Sequence, residues 1–129
     1  MSVLVIKPHW LEMILQGIKT WEIRGSPIKK HVGKYIYLAG SGTSAIYARV
    51  KFEACHGPLA KDVWIANVER HCVPGATLPY GVSTYAYQFG ELEVATNPIQ
   101  FERQKGAVKF QDALIPRKVL TSAFGRIGG

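Results

Sequence analysis

Apolar residues fall along this chain in a short succession of distinct periods. Residues 3–6 form an unbroken apolar run of strand length, as suits a strand buried on both faces. Pro8 follows, at a position that favours a first helical turn. Trp10, Leu11, Ile14 and Leu15 then recur at spacings of three and four, which makes one apolar helix face. Gly17 supplies a stop just past that helix. From Lys19 the period drops to two, with Trp21 and Ile23 on one side and Thr20, Glu22 and Arg24 on the other. Gly25, Ser26 and Pro27 end this strand.

The later pattern is mostly strand. Residues 28–34 are a basic loop, 35–39 a strand, and Gly40, Ser41, Gly42 and Thr43 a turn. Residues 45–54 alternate most cleanly, with Ile46, Ala48, Val50 and Phe52 predicted inward and Tyr47, Arg49, Lys51 and Glu53 outward. Residues 59–70 read as a helix with Leu59, Val63 and Ala66 on one side, and 72–82 as a loop rich in Pro and Gly. In 84–95, Tyr85, Tyr87 and Phe89 share a face, then Leu92 and Val94 carry the opposite parity, which predicts a bulge at Gly90. Residues 107–111 make a last strand with Val108 and Phe110 inward, and the tail from about residue 120 is expected to fray. The order β-α-β-β-β-α-β-β predicts an α+β fold built on a small curled sheet or barrel. No repeat or linker divides residues 1–129, so one domain is expected.

Composition narrows the class. Hydrophobic residues make up 47% of the 129, which excludes a mainly disordered chain. A chain of this size buries roughly two-thirds of its unfolded surface, enough for a core without disulfide or metal. No apolar run reaches the roughly 18 residues of a spanning helix, and the start lacks the pattern of a secretory leader. Two cysteines make no disulfide framework. A cytoplasmic protein with no membrane role and no cofactor is expected. The formal charge of +7 is uneven. Residues 19–51 hold seven cations against Glu22 alone, and residues 103–129 hold six against Asp112 alone, whereas 52–102 is net acidic. If the two basic segments meet, they form a face that attracts phosphate by releasing counterions. A basic surface that serves only solubility is the plainer alternative.

The densest motif is Gly17-Ile18-Lys19-Thr20-Trp21-Glu22-Ile23-Arg24. Residues two apart on a strand lie roughly 6–7 Å apart on one face, so Glu22 and Arg24 can pair. Lys19 stands at the helix–strand corner, from which a side chain can reach a cleft. Gly17, Lys19, Glu22 and Arg24 match the GxKxxExR signature of the ASCH domain, a branch of the PUA-like superfamily, which residues 3–110 resemble over most of their length. Lys7-Pro8, the helix with Trp10 and Ile14, Tyr85-Ala86-Tyr87, Pro98 and Gln104-Lys105-Gly106 fit the same family. The resemblance implies a PUA-like barrel of five to six mainly antiparallel strands with two or more short flanking helices. It also implies a cleft beside the first helix that binds RNA or a modified nucleoside. Some members of the superfamily are enzymes. One type removes acyl groups from N4-acylated cytidine with a lysine, a threonine and a glutamate; another is a metal-dependent ribonuclease. Lys19 matches that lysine, Glu22 stands where the threonine is, and no residue here is matched to the glutamate.

Three functions follow as alternatives. The first is nucleic-acid binding, with Lys7, Lys19, Arg24, Lys29, Lys30 and Lys34 on phosphate and Trp10, Thr20, Glu22 and Ser41 lining the cleft. Arg49 and Tyr47 would add a contact from the outward face of their strand. Trp10 and Tyr47 are the stacking candidates, Trp21 belonging to the core. The second is a hydrolase with Lys19 and Glu22 as its catalytic pair. The third is a protein-interaction module. Cys55-His56 and His71-Cys72 are a mirrored pair of dipeptides, but zinc needs four converging ligands, and neighbouring strand residues point apart, so no metal site is expected.

Overall fold

The computed structural model describes residues 1–104 and 110–125. Among these, six strands form one curled sheet: β1 (Ser2–Ile6), β2 (Trp21–Arg24), β3 (Tyr35–Gly40), β4 (Ala45–His56), β5 (Tyr85–Gln100) and β6 (Phe110–Asp112). Their spatial order is β2-β5-β4-β3-β1-β6. Only β1 with β3 is parallel; the remaining pairs are antiparallel. Four short helices flank the sheet: α1 (Pro8–Leu15), α2 (Lys61–Ala66), α3 (Val68–His71) and α4 (Arg117–Phe124). This is the α+β half-barrel that the pattern and the resemblance predict.

Three apolar clusters hold it. Inside the curl, Leu4, Ile6, Ile36, Leu38, Val50, Phe52, Tyr87 and Phe89 meet Leu11 and Ile14 of α1. The helix seats there because its buried residues are three apart and Gly17, at φ +77°, ends it. On the opposite face, Val3, Tyr37, Ala39, Ile46 and Ile99 lie with Ala123 of α4. The third cluster joins Trp21, Ile23 and Ala86 to Leu59 and Trp64. It fixes the excursion between β4 and β5 against β2.

Several expectations are corrected. Ile46 does not share a face with Val50 and Phe52. The β3–β4 register shifts after Leu38, so Ile46 pairs with Ala39 and joins the second cluster. Arg49 does not face solvent: it is 1% exposed, beneath Phe124 and beside Tyr35. Tyr47 is half-buried against the inner cluster. The predicted helix 59–70 is two helices joined at Asn67, and its anchor is Trp64, with Val63 39% exposed. A helix stands at 117–124, where fraying was expected from about 120 and no periodicity marked a helix; Ala123 alone of its residues is buried. The bulge falls where predicted. Lys51 faces Gly90, Arg49 faces Glu93, and Glu91 takes φ 47° between them. The Glu53 carboxylate fills the space that a side chain on Gly90 would need. β5 runs five residues past its predicted end, to Gln100. Lys105, Gly106, Val108 and residues 126–129 lie outside the described residues.

Candidate functional site

Among the described residues the sheet does not close on itself, and its edges are β2 and β6. Arg24 of β2 spans the gap, its Nη2 donating at 2.9 Å to the Val5 carbonyl of β1, the strand beside the other edge. At this seam lies a cavity of about 600 Å³, within the range of small-molecule pockets. Its lining includes Lys7, Trp10, Lys19, Glu22, Arg24 and Ser41, together with Tyr80, Arg103 and Gln111.

Local chain geometry sets Lys19. After Gly17 the backbone N–H groups of Ile18 and Lys19 both donate to the Met13 carbonyl, which closes α1 tightly. Thr20 N–H then donates to Arg70 at 3.0 Å, and β2 begins. Lys19 is thereby turned inward and is 2% exposed. Its ammonium donates to the His71 carbonyl, lies 4.8 Å from the centre of the Trp10 ring, and stands 3.9 Å from Glu22 Oε1. Burial holds the Lys19 amine below its ordinary pKa; Glu22 and Cys72 oppose that shift, and Arg24 adds to it.

Glu22 and Arg24 are the pair that strand spacing predicts. Arg24 Nη2 and Nε both donate to Glu22 Oε2, at 2.7 and 3.0 Å. That fork leaves Oε1 as the acceptor on the Lys19 side. The Glu22 side chain is 5% exposed, so its charge is held by Arg24 and Lys19 rather than by water.

The acceptor for Lys19 comes from the excursion between β4 and β5. Cys72 takes φ 63° and ends α3, which leaves the His71 carbonyl beyond the helix and available. The His71 ring is fully buried and stacked on Trp64, 3.7 Å between centroids and 5° between planes. Its Nδ1 accepts from Val73 N–H at 3.0 Å, so Nε2–H donates to the Trp64 carbonyl at 2.7 Å. Burial lowers the His71 pKa, the Trp64 bond opposes this, and Lys19 lowers it further. His56 bonds Gln88 at 2.7 Å and packs on Trp21. Among the described residues no group of three His, Cys, Asp or Glu side chains is placed to hold a metal ion.

The structure therefore gathers Lys7, Trp10, Lys19, Glu22, Arg24 and Ser41 around one hollow. It leaves the other expected residues outside, the half-buried Tyr47 among them. Thr20 precedes β2 instead of sharing its face; it is exposed and borders a separate cavity of about 150 Å³ with Gly17. Lys29, Lys30 and Lys34 are exposed on the loop before β3 and do not line the main cavity. Arg49 is sealed on the opposite sheet face, paired with Glu93 at 2.7 Å. Within the cavity, Lys19 is too deeply buried for a surface phosphate contact, whereas Lys7 and Arg103 are exposed at its rim. The sequence reading missed Tyr80, Arg103, Gln111 and the His71 carbonyl. Of these only Arg103 carried a signal, as part of a basic segment.

Comparison with known proteins agrees with this architecture. No curated protein matches the chain. Among solved structures, the ASCH protein from Zymomonas mobilis superposes with a TM-score of 0.69 at 12% identity, covering 94% of this chain and 91% of that one. A mutant form of the same protein gives 0.65 at 15% identity over 77% of this chain and 74% of that one. At such identity the likeness is one of fold. The ASCH domain family model matches residues 4–122, nearly the whole length over which the half-barrel, the GxKxxExR corner and the seam cavity are built. This chain belongs to the ASCH domain family.

Proposed function

We propose that the seam cavity receives one nucleotide unit of single-stranded RNA. The observation that carries this reading is the cavity of about 600 Å³ with a cation–carboxylate–cation set, Lys19, Glu22 and Arg24, along its wall. A nucleobase offers donors and acceptors on one planar edge, and this set offers both in return: Glu22 Oε1 accepts, while Lys19 and Arg24 donate. Lys7 and Arg103 stand at the rim, where a phosphate of the strand outside would lie. The ASCH family and its PUA-like fold point to RNA binding in general. The test is binding of a labelled single-stranded RNA across a salt series. Affinity should fall steeply with salt, by roughly 0.7 in log K per log salt for each phosphate contacted. Lys19→Ala should weaken it at least ten-fold and Lys118→Ala, on α4, hardly at all. A flat salt response, or equal losses in the two variants, would overturn the proposal.

A second reading rests on the enclosure of the Lys19 amine, 2% exposed and 3.9 Å from Glu22 Oε1, which burial holds below its ordinary pKa. Such an amine acts as a base or nucleophile closer to neutrality than a surface lysine does. Lys19 beside Glu22 would then serve a hydrolase acting on an acylated nucleoside or on RNA. Incubation with N4-acetylcytidine and with RNA separates this from binding alone. No product above the Lys19→Ala background would dismiss it.

A further inference from the structure

Of the two aromatic residues that the sequence offers as base-stacking surfaces, Trp10 and Tyr47, only Trp10 lines the cavity, and its ring already has a cation on it. The Lys19 ammonium lies 4.8 Å from its centroid, and His9 meets it edge-on at 4.6 Å. Another ring lines the same cavity. Tyr80 is 50% exposed and, among the described residues, has no ring or cation partner.

Exposure alone would not single it out, because exposed tyrosines are common. Its seating does. A Cβ on Gly25 would lie 2.8 Å from Tyr80 Cδ1 and 3.2 Å from Cγ and Cε1. One edge of the ring therefore occupies the space that a side chain just after β2 would take, closer to the bare backbone than any side chain at that position allows. The backbone beneath the ring is also tied down. Tyr80 N–H donates to Thr84 Oγ1 at 3.1 Å, and that hydroxyl donates to the Gly81 carbonyl at 2.9 Å. Thr84 is fully buried. A large ring that is half open to solvent, yet held from below and behind, loses little freedom when it accepts a flat partner.

We infer that Tyr80 is the stacking wall of the cavity and that the ligand carries a planar heterocycle, laid against the Tyr80 ring while Lys19, Glu22 and Arg24 meet its edge. This rests on the nucleotide reading above and specifies it: the recognised group is the aromatic ring, not the sugar or phosphate. Stacking on a π-face tolerates any base, so Tyr80 contributes affinity for rings in general and leaves choice among bases to the charged wall.

The test uses the full chain with the four ribonucleoside 5′-monophosphates and with ribose 5-phosphate, which has the phosphate and sugar but no ring. Tyr80→Leu should weaken nucleotide binding about ten-fold, from the loss of one stacked base, and leave ribose 5-phosphate binding unchanged. Tyr80→Phe and Tyr80→Trp should bind nucleotides like the parent protein. Gly25→Ala, which unseats the ring without removing it, should lower nucleotide affinity in the same direction. Wild-type nucleotide binding that survives Tyr80→Leu overturns this inference and leaves the cavity reading standing. A loss shared by Tyr80→Phe also overturns it, because the hydroxyl would then be the contact. Failure of the wild-type chain to bind any nucleotide overturns both.

Discussion

Two arginine–carboxylate pairs lie among the described residues, and they make an instructive contrast. Arg24 meets Glu22 at 2.7 Å, and Arg49 meets Glu93 at 2.7 Å. Contact distance does not distinguish them; their surroundings do. Arg24 also holds the Val5 carbonyl and borders open volume. Arg49 is pressed beneath Phe124 and Tyr35, with Nε and Nη1 buried and unpartnered among the described residues. A buried ion pair by itself is weak grounds for either stability or function. What makes the first pair the candidate site is the adjoining hollow, the lysine beside it and the backbone gap it bridges. In the second pair the arginine is enclosed under a helix, and only the Glu93 side chain reaches solvent.

The sharpest way to break this contrast is to remove each arginine. Arg24→Ala strands Glu22 in a buried position and frees the Val5 carbonyl. Breaking a buried pair from one side typically costs about 3–5 kcal/mol, so a large drop in thermal midpoint is expected, along with loss of RNA binding. Arg49→Met should behave oppositely. It deletes two unpartnered donors and keeps the stem that packs under Phe124, while the Glu93 side chain, 38% exposed, regains water. Thermal unfolding should show a change within about 1 kcal/mol, of either sign, and RNA affinity should stay within two-fold. If Arg49→Met abolishes binding, the division between a working pair and a sealed one is wrong.

A smaller effect follows from acid. Burial lowers the pKa of His71 and of His31, with Lys30 and Lys34 lowering His31 further. For both, the unfolded chain binds protons more readily than the folded one. Their contribution to stability is therefore complete above the unfolded pKa, near 6.5, and is lost as pH falls through that value toward the folded pKa. Thermal midpoints should decline between pH 7 and pH 5. His31→Phe, which keeps the ring contact with Phe110 and removes an unpartnered Nε2, should shallow that decline. An unchanged slope would mean that His31 takes no part in it.

Much of the site was legible where contacts are local. Helix α1, its glycine stop and the Glu22–Arg24 pair follow from spacings of two to four residues. The bulge at Gly90 announced itself as a change of parity. What stayed hidden depends on distant chain. Arg49 sits in a clean outward position, and only the later helix α4 turns that face inward. Trp64 blurs the apolar stripe of its segment because it packs on His71 and β2 rather than along one helix face. Tyr80 comes from a Pro- and Gly-rich stretch with no period to read, and the His71 carbonyl is exposed only by the end of a helix one turn long. Lys19 carried the right motif, but its burial is decided by where α3 ends, some fifty residues away.

The open seam has one more implication. Its walls draw on the beginning of the chain, through Val5 and Glu22, and on its final quarter, through Arg103 and Gln111. Whatever molecule settles there joins head to tail, and it does so at the place where the backbone left its own circle incomplete. Guest and architecture then share a single clasp.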